Sequence, residues 1–218
     1  MVDPVVMDRI RPMQYIDARR VAELHHAAMG NSLWSKLGLR FLRELYRGLI
    51  EDERFLGFVY VEDGVIEGFI AGSTDASEMM SAVFKTRFTP LAAAATLGLV
   101  KKPAVAIKLA QTAQYFSASD TDLDIPAESL FCSFTPKLRG KRVSGHINKV
   151  LFDDLAARGH GHVKITTETD NEGANRQLKS WGFEDAGRFR FYGKDMVTYV
   201  LNLEASPRVS PRLSHPTV

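Results

Sequence analysis

The residues best suited to chemistry lie between Phe134 and Gly145, in the stretch FTPKLRGKRVSG. A predicted strand over residues 128–135 ends there, Pro136 turns the chain, and a predicted helix begins near Val143. The first N–H groups of a helix have no partner within it, and with the helix dipole they attract anions, typically a pyrophosphate. Four basic side chains add positive charge: Lys137, Arg139, Lys141 and Arg142. An ordinary solvated turn is the alternative interpretation of this stretch.

Two common phosphate motifs are absent from the chain. It contains neither the Walker string, in which glycine and four residues precede Gly-Lys-Ser/Thr, nor the dinucleotide fingerprint G-x-G-x-x-G. A different second signal lies about thirty residues downstream of the basic loop. It reads Asn171-Glu172-Gly173-Ala174 and runs on to Gly182-Phe183.

Together these two stretches resemble the GNAT superfamily of acyl-CoA-dependent N-acyltransferases. The phosphate loop of that family is V-x-P-x-x-[RQ]-G-x-G-x-[GA], and the matching residues here are Phe134, Pro136, Arg139, Gly140 and Val143. Its second motif is N-x-x-A, a tyrosine and then Gly-Phe, matched here by Asn171, Ala174, Gly182 and Phe183. The predicted order of elements agrees with the family over residues 9–203. Arg142 and Ser144 depart from it, because the family usually has small residues at these places.

The resemblance implies an α/β fold: a GNAT-like mixed, mostly antiparallel central sheet of about seven strands flanked by helices. It also implies direct transfer of an acetyl group from acetyl-CoA (coenzyme A) to a primary amine of a small molecule, without a metal. Main-chain N–H groups of residues 132–134 would stabilise the oxyanion, with the pantetheine arm lying like an extra strand where the fourth and fifth strands part. The cofactor-binding residues implied are Cys132, Ser133, Phe134, Thr135, Arg139, Gly140, Lys141, Arg142, Val143, Ser144, Gly145, Asn171, Ala174, Asn175 and Leu178.

Three side chains are candidates for catalytic proton transfer: Glu128, Ser133 and Tyr192. Glu128 lies eleven residues before Arg139, where some family members carry a glutamate base. Strand alternation predicts that it shares a face with Cys132 and other apolar residues, which would raise its pKa to suit a base. A solvated strand-entry glutamate is the alternative. The family tyrosine that protonates the leaving thiolate falls at Leu178, which has no proton to give. Either Tyr192, Ser133 or water would supply the proton, or the thiolate would leave unaided.

Other side chains with chemical potential have simpler interpretations. Cys132 could be a covalent nucleophile, but a lone strand cysteine is expected to be a small core residue. His25 and His26 lie on the first predicted helix, where the family often builds its acceptor pocket, and surface positions are expected for them. The acidic run that starts at Asp120 imitates a calcium loop, but Ile125 replaces the required glycine, so no metal site is expected.

Periodicity and turn signals predict the elements that position these residues. A short strand is predicted over 9–12, and a first helix carries Ile16, Val21, Leu24 and Ala28 on one stripe. A second helix runs from residue 31 or 32 to 52. Strands over 55–62 and 65–73 form a hairpin through a type I′ turn at Asp63-Gly64. Helices over 92–100 and 104–115 form an insertion at about 75–125. After the basic loop come a helix over 143–155, a strand over 163–169, a helix over 174–181, and strands over 183–192 and 196–203.

Length and composition are consistent with one enzyme-sized unit. The 218 residues suit a single domain over 1–205 with a disordered tail over 206–218. A formal net charge of +2 gives no overall field that would recruit nucleic acid. One cysteine, the lack of a signal-peptide pattern, and an apolar segment shorter than the ~20 residues of a membrane span indicate a cytoplasmic protein with no membrane span. The apolar insertion could cover the acceptor site, pack on the sheet or form a homodimer contact.

Two other functions stay open at this stage. A protein or peptide N-acetyltransferase would need an open acceptor groove, and the insertion weakly favours a closed pocket instead. A non-catalytic module that binds acyl-CoA would explain the leucine at position 178. Neither the acceptor amine nor the preferred acyl chain follows from the motifs.

Overall fold

The computed structural model describes residues 3–30, 32–101, 123–191 and 193–204. Seven strands lie within these ranges: β1 Ile10–Pro12, β2 Phe55–Glu62, β3 Val65–Ser73, β4 Glu128–Phe134, β5 His162–Glu168, β6 Glu184–Phe191 and β7 Lys194–Asn202. The helices are α1 Pro4–Met7, α2 Ala18–Ala28, α3 Leu33–Lys36, α4 Leu39–Glu51, α5 Ala76–Thr86, α6 Phe88–Lys101, α7 Val143–Ala157 and α8 Glu172–Ser180. Within these ranges, no helix is long and apolar enough to cross a membrane.

The strands form one sheet in the order β1-β2-β3-β4-β5-β7-β6. Neighbouring strands run antiparallel, except that β4 and β5 run parallel. The predicted mixed, mostly antiparallel sheet of about seven strands is therefore confirmed. A parallel pair needs a crossover connection, and α7 provides it between β4 and β5.

The hairpin of β2 and β3 forms as its turn residues predict. Asp63 and Gly64 have φ angles of 54° and 76°, the positive values that a type I′ turn requires at both central positions. The turn sets the first pairs, Glu62 with Val65 and Val61 with Ile66, and a bulge at Tyr60/Val61 then shifts the register by one residue, so that Phe55 lies opposite Ser73.

Two apolar cores cover the two faces of the sheet. Along β3 the side chains alternate, so Phe69 and Ala71 enter one core and Ile70 enters the other. The first core lies on the side of the sheet here called the α2 face, where residues of α2, α4, α5 and α6 pack. The second core lies on the opposite side, the α7 face, where Ile147, Leu151 and Leu155 of α7 pack. Helices therefore cover both sides of the sheet.

Several predicted helices differ from those observed. The single helix over 31–52 is two helices, because Gly38 takes a φ of 95° between α3 and α4. Ile16 is 80% exposed and lies in a 3₁₀ turn before α2, so it does not belong to the buried stripe. Helix α5 was not predicted, although Asp75 caps it and Met79, Met80 and Val83 lie on its buried side.

The helical insertion between β3 and β4 is confirmed in its first part. Helices α5 and α6 follow β3, and α6 contains the predicted helix over 92–100. Pro90 falls in the first turn of α6, where a missing N–H costs nothing. The predicted helix over 104–115 and the tail over 206–218 lie outside the described residues.

Candidate functional site

The basic loop connects the end of β4 to the start of α7 through a tightly shaped turn. Residues Pro136–Leu138 form a 3₁₀ turn after β4. Gly140 has a φ of 80°, and Arg142, the residue before α7, has a φ of 57°. Only glycine takes such angles without strain, so the left-handed Arg142 marks a conformation that its surroundings impose.

A cleft of about 430 Å³ opens along this loop. Seven of the predicted cofactor-binding residues line it together: Phe134, Thr135, Arg139, Gly140, Arg142, Val143 and Ser144. Pro136 and Leu138, which the prediction left out, complete the lining. The cleft is thus a concave site bounded by a helix N-terminus.

The basic side chains of the loop divide into two pairs. Arg139 and Arg142 line the cleft and are exposed. Lys141 instead places its Nζ 3.2 Å from Oε1 of Glu62, and the Nζ of Lys137 lies 3.0 Å from Oε2 of the same carboxylate. That all four cations lie on a phosphate site, and that Lys141 binds cofactor there, stays a prediction, and both lysines already have a carboxylate partner. Their partner is the β2–β3 hairpin.

Two polar side chains, Thr135 and Ser144, lie at the cleft. Oγ1 of Thr135 is buried without a hydrogen-bond partner. Oγ of Ser144 accepts a bond from Nε2 of Gln177 at 3.0 Å, which joins α8 to the first turn of α7. An unpaired buried hydroxyl is costly, but this oxygen of Thr135 has almost no accessible surface, so a ligand would pair with it only if the side chain turned toward the cleft. The two arginines and the helix N-terminus fit a nucleotide diphosphate.

His146, which the sequence did not single out, fixes the start of α7. Its Nε2 accepts a bond from the main-chain N–H of Asp3 at 2.9 Å, so the proton must lie on Nδ1. That nitrogen lies 2.9 Å from the main-chain oxygen of Arg142 and donates to it. The imidazole therefore ties α1 and the left-handed residue of the loop together. Its i+4 spacing from Arg142 is the only sequence signal for this role.

The second motif shapes the connection between β5 and α8. Asn171 caps α8, because its side-chain oxygen accepts the N–H of Ala174 at 3.2 Å. Nδ2 of Asn175 donates to the main-chain oxygens of Glu168 and Thr169, at 3.1 Å each, while its Oδ1 is buried and unpaired. Leu178 is buried in the core of the α7 face. Asn171 and Leu178 thus have local structural contacts, whereas Asn175 retains a free acceptor.

Strands β4 and β5 part soon after they meet. They pair at two positions, Glu128 with Lys164 and Ser129 with Ile165. Leu130 is an extra residue in β4, since Ala71 pairs with Phe131 while the next residue, Gly72, pairs with Ser129. Such a bulge bends a strand and ends regular pairing. The described part of β4 beyond it therefore leaves one edge open toward β5.

The bulge also reverses which residues of β4 share a face. Glu128 pairs with Ser73 and Phe131 with Ala71, and both partners point to the α2 face. Cys132 pairs with Ile70, which points to the α7 face. The prediction that Glu128 and Cys132 share a face is wrong, because strict alternation ignored the inserted residue. Glu128 and the thiol lie on opposite sides of the sheet.

Both of these titratable groups have raised pKa values, and both keep some contact with solvent. Burial raises the pKa of Glu128 to about 7, and Lys164 opposes part of that rise. Burial likewise raises the pKa of the Cys132 thiol to about 11, although solvent still reaches the side chain. The prediction of Cys132 as a core residue is therefore wrong, and its thiol stays protonated at neutral pH.

The remaining catalytic candidates differ in position. Ser133 lies on the α2 face, where its Oγ donates to the main-chain oxygen of Leu24 at 3.1 Å. That bond holds α2 against β4. Tyr192 lies outside the described residues. Gly145 lies in the first turn of α7, and its N–H donates to the oxygen of Arg142 at 3.1 Å.

A buried histidine lies behind β4. His25 has no exposed surface, and its Nδ1 lies 2.8 Å from the hydroxyl of Tyr46. Its ring also contacts Phe131, at a centroid distance of 4.9 Å. Burial lowers the pKa of His25 to about 4, so the ring is neutral at physiological pH. The expectation of a surface position was wrong for His25, while His26 is half-buried.

No metal cluster accompanies this site in the part of the chain that the structure describes. Within those ranges, no three His, Cys, Asp or Glu side chains come close enough to hold an ion. Among the described residues, the cleft has hydrogen-bond donors that could meet an anion, and Glu128 is the candidate for proton transfer.

Comparison with known proteins gives a consistent set of similarities. No family model matches the chain. A mycothiol acetyltransferase from Brachybacterium faecium is 37% identical over 68 residues, which span 31% of this chain and 20% of that protein. The match therefore covers much less than two thirds of the relative's length.

Solved structures agree over almost the whole chain. The yncA protein of Salmonella typhimurium, solved with its cofactor acetyl-CoA, has a TM-score of 0.57 at 14% identity, covering 91% of this chain and 95% of its own. A Desulfovibrio desulfuricans protein described as of the GNAT family has a TM-score of 0.55 at 12% identity, covering 89% and 98%. At these identities the likeness concerns the fold. This chain has the fold of the GNAT acetyltransferases.

Proposed function

We propose that this protein transfers an acetyl group from acetyl-CoA to a primary amine of a small molecule, by direct attack of the amine on the thioester. The observation that carries the proposal is the 430 Å³ cleft at the start of α7. Seven residues assigned to coenzyme A from the sequence line that one cleft. A fold alone does not imply an activity, so the argument depends on this site.

The cleft supports diphosphate binding through two kinds of group. Arg139 and Arg142 supply charge, and the N–H groups at the start of α7 supply main-chain donors. A pantetheine arm that leaves this site would run along the open edge of β4. The main-chain groups of residues 132–134 would then lie near the thioester carbonyl.

Glu128 is the proposed base. An aliphatic amine has a pKa of ~10 and is mostly protonated at neutral pH, so a group must accept its proton before or during attack. A carboxyl with a pKa of about 7 is ionised in part at neutral pH and basic enough for that task. Its position on the α2 face supports an acceptor that approaches from the side opposite Cys132.

Direct transfer is favoured over a covalent intermediate on Cys132. A thiol with a pKa of about 11 has almost no thiolate at neutral pH, and the thiolate is the nucleophile. The leaving coenzyme A thiol has an ordinary pKa near 8.5, so it can depart with help from water. No proton donor is then required at position 178, where a leucine is buried in the core.

The small-molecule acceptor is supported by one observation outside the site. The curated relative is named for mycothiol, a small molecule. For this chain the acceptor class is tested by supplying both kinds of substrate.

Two measurements test the proposal. Calorimetry with coenzyme A at modest salt should show binding, and thiol release from acetyl-CoA should increase with some member of an amine panel of amino sugars, polyamines, amino acids and antibiotic amines. A peptide panel runs in parallel. Absence of coenzyme A binding would overturn the proposal. Binding without thiol release for any acceptor would point to a binding module, and release with peptides alone would exclude the small-molecule acceptor.

A further inference from the structure

The carboxylate of Glu62, at the end of β2, lies among three cations. Its Oε1 is 3.0 Å from Arg9 and 3.2 Å from Lys141, and its Oε2 is 3.0 Å from Lys137. These cations cover the side chain of Glu62, which is only 9% exposed although it lies at the surface of the protein. The hydrogen bonds from Lys137 and Lys141 hold the pKa of Glu62 below its ordinary value. The carboxylate is therefore ionised across the physiological range.

Two of these cations belong to the loop that lines the cleft. Lys137 and Lys141 flank Arg139 and Gly140, so Glu62 holds the loop on both sides of its central residues. A second bond from the same hairpin strengthens the attachment, because the N–H of Thr135 donates to the main-chain oxygen of Glu67 at 2.8 Å. Lys137 also lies 3.3 Å from the carboxylate of Glu67. The hairpin tip and the loop thus form one unit.

We infer that Glu62 is a positioning residue for coenzyme A: it acts through Lys137 and Lys141 to hold the loop in the shape that presents Arg139, Arg142 and the first N–H groups of α7. This inference rests on the proposed function. Without Glu62, Arg9, Lys137 and Lys141 would repel one another, and the loop would move away from β2. The two lysines, which the sequence assigned to phosphate, serve the shape of the site.

A competing electrostatic effect has the opposite sign. The negative charge of Glu62 also reduces the positive potential near the cleft, so its removal would attract a diphosphate more strongly. Two substitutions separate the effects. E62Q removes the charge and keeps the shape, whereas E62D keeps the charge but is too short to reach all three cations. If the contacts of Glu62 with the loop have the larger effect, both variants bind coenzyme A more weakly. If the electrostatic potential has the larger effect, E62Q binds coenzyme A more tightly and the Kd of E62D is unchanged.

The main experiment is calorimetric titration of the full chain with coenzyme A. We expect Kd to rise about fivefold for both E62Q and E62D, the scale of several partly exposed ion pairs lost together. The matched control is D154N, which breaks the ion pair of Asp154 with Arg158 at the far end of α7, 2.9 Å in length. Its Kd should equal that of the unsubstituted protein. Thermal unfolding of each variant shows whether the protein remains folded.

A truncated donor gives an independent readout. S-acetylpantetheine lacks the diphosphate and the nucleotide, so its turnover does not depend on the loop. E62Q should therefore raise the KM for acetyl-CoA while leaving kcat/KM for S-acetylpantetheine unchanged. A general structural defect would lower both.

The outcomes separate this inference from the proposed function. If the unsubstituted protein takes up no coenzyme A, the proposed function fails first. If it binds coenzyme A and E62Q and E62D bind equally well or more tightly, only the positioning role is overturned. A loss of turnover with S-acetylpantetheine equal to that with acetyl-CoA would also overturn it.

Discussion

Nδ1 of His146 lies 2.9 Å from the main-chain oxygen of Arg142, one turn earlier in the chain. Because Nε2 of the same ring accepts the N–H of Asp3, the neutral imidazole bridges the N-terminal helix and the residue that starts α7. A buried side chain with both ring nitrogens paired is difficult to replace without leaving a partner unsatisfied. This bridge makes the shape of the cleft depend on α1, which is remote in sequence.

The first prediction concerns this bridge. The substitution H146L keeps a similar volume but leaves the N–H of Asp3 without its partner. It also removes one of two donors to the oxygen of Arg142, which still accepts the N–H of Gly145. We expect the free energy of unfolding to fall by about 1–3 kcal/mol, measured by urea denaturation, and Kd for coenzyme A to rise. H162Q, at an exposed histidine on β5, is the control. Equal Kd values for H146L and the unsubstituted protein would show that the bridge does not shape the cleft.

The second prediction is the pH dependence of catalysis. A base must be ionised to accept a proton, so kcat/KM should rise as pH increases through about 7, the pKa of Glu128. E128Q should lower kcat/KM by about a hundredfold or more and abolish that rise. E184Q, at an exposed carboxylate on β6, should leave the profile intact. An unchanged profile in E128Q would remove Glu128 from the mechanism.

The third prediction is the pH dependence of stability, in which two buried groups oppose each other. The pKa of Glu128 is raised from 4.5 to about 7, so the folded state holds an extra proton between these values and stability falls as pH rises. The pKa of His25 is lowered from 6.5 to about 4, so the unfolded state holds the extra proton and stability rises with pH. From about pH 4.5 to 6.5 the two contributions cancel.

Single substitutions should expose each contribution. E128Q should become more stable as pH rises from 4.5 to 6.5, and H25Q should become less stable, each by about 1–2 kcal/mol. Urea denaturation at several pH values measures both slopes. Parallel curves for the two variants would contradict the assignment of the shifted groups.

The fourth prediction addresses Ser133. Its hydroxyl bond to the oxygen of Leu24 joins α2 to β4, so S133A should lower the free energy of unfolding by about 1 kcal/mol. If that bond is the main role of Ser133, kcat will change by less than about threefold. A large loss of kcat at unchanged stability would instead indicate that Ser133 supplies a proton to the leaving thiolate.

The fifth prediction separates charge from backbone conformation at Arg142. Both R142A and R142G remove the guanidinium, so both should weaken coenzyme A binding by about tenfold, the scale of one charge-assisted hydrogen bond. Only alanine is strained at a φ of 57°, so R142G should be about 1 kcal/mol more stable than R142A. If R142A and R142G are equally stable, the left-handed conformation at this residue is not an important constraint.

Much of the fold follows from local patterns in the sequence. The Asp63-Gly64 turn predicts its hairpin because few turn types match the twist of two strands. The strand and helix around the basic loop also appear at the expected places, since their periodicities change sharply at Pro136. The break at Gly38 was not predicted, because a glycine within a helical stripe is tolerated at modest cost.

The residues that line the candidate site could be predicted from the sequence, but their side-chain partners could not. Seven predicted residues line one cleft because they lie within eleven consecutive positions and are therefore close in space. The partners of Lys137 and Lys141 depend on Glu62, about eighty residues earlier in the chain, and no local pattern announces an ion pair between distant segments. The bulge at Leu130 was equally invisible, since it arises from pairing with β3.

The extra residue at Leu130 has a kinetic consequence. It places Glu128, the proposed base, and the cleft proposed for acetyl-CoA on opposite sides of the sheet, so under the proposed function the two substrates would approach the reaction centre through separate openings. Neither must leave before the other arrives, and initial-velocity lines with both concentrations varied should intersect. A second consequence is evolutionary. Residues that line the acceptor opening could be substituted without changing the residues that would bind the nucleotide. Proteins with this arrangement could therefore differ in acceptor while keeping the same donor site.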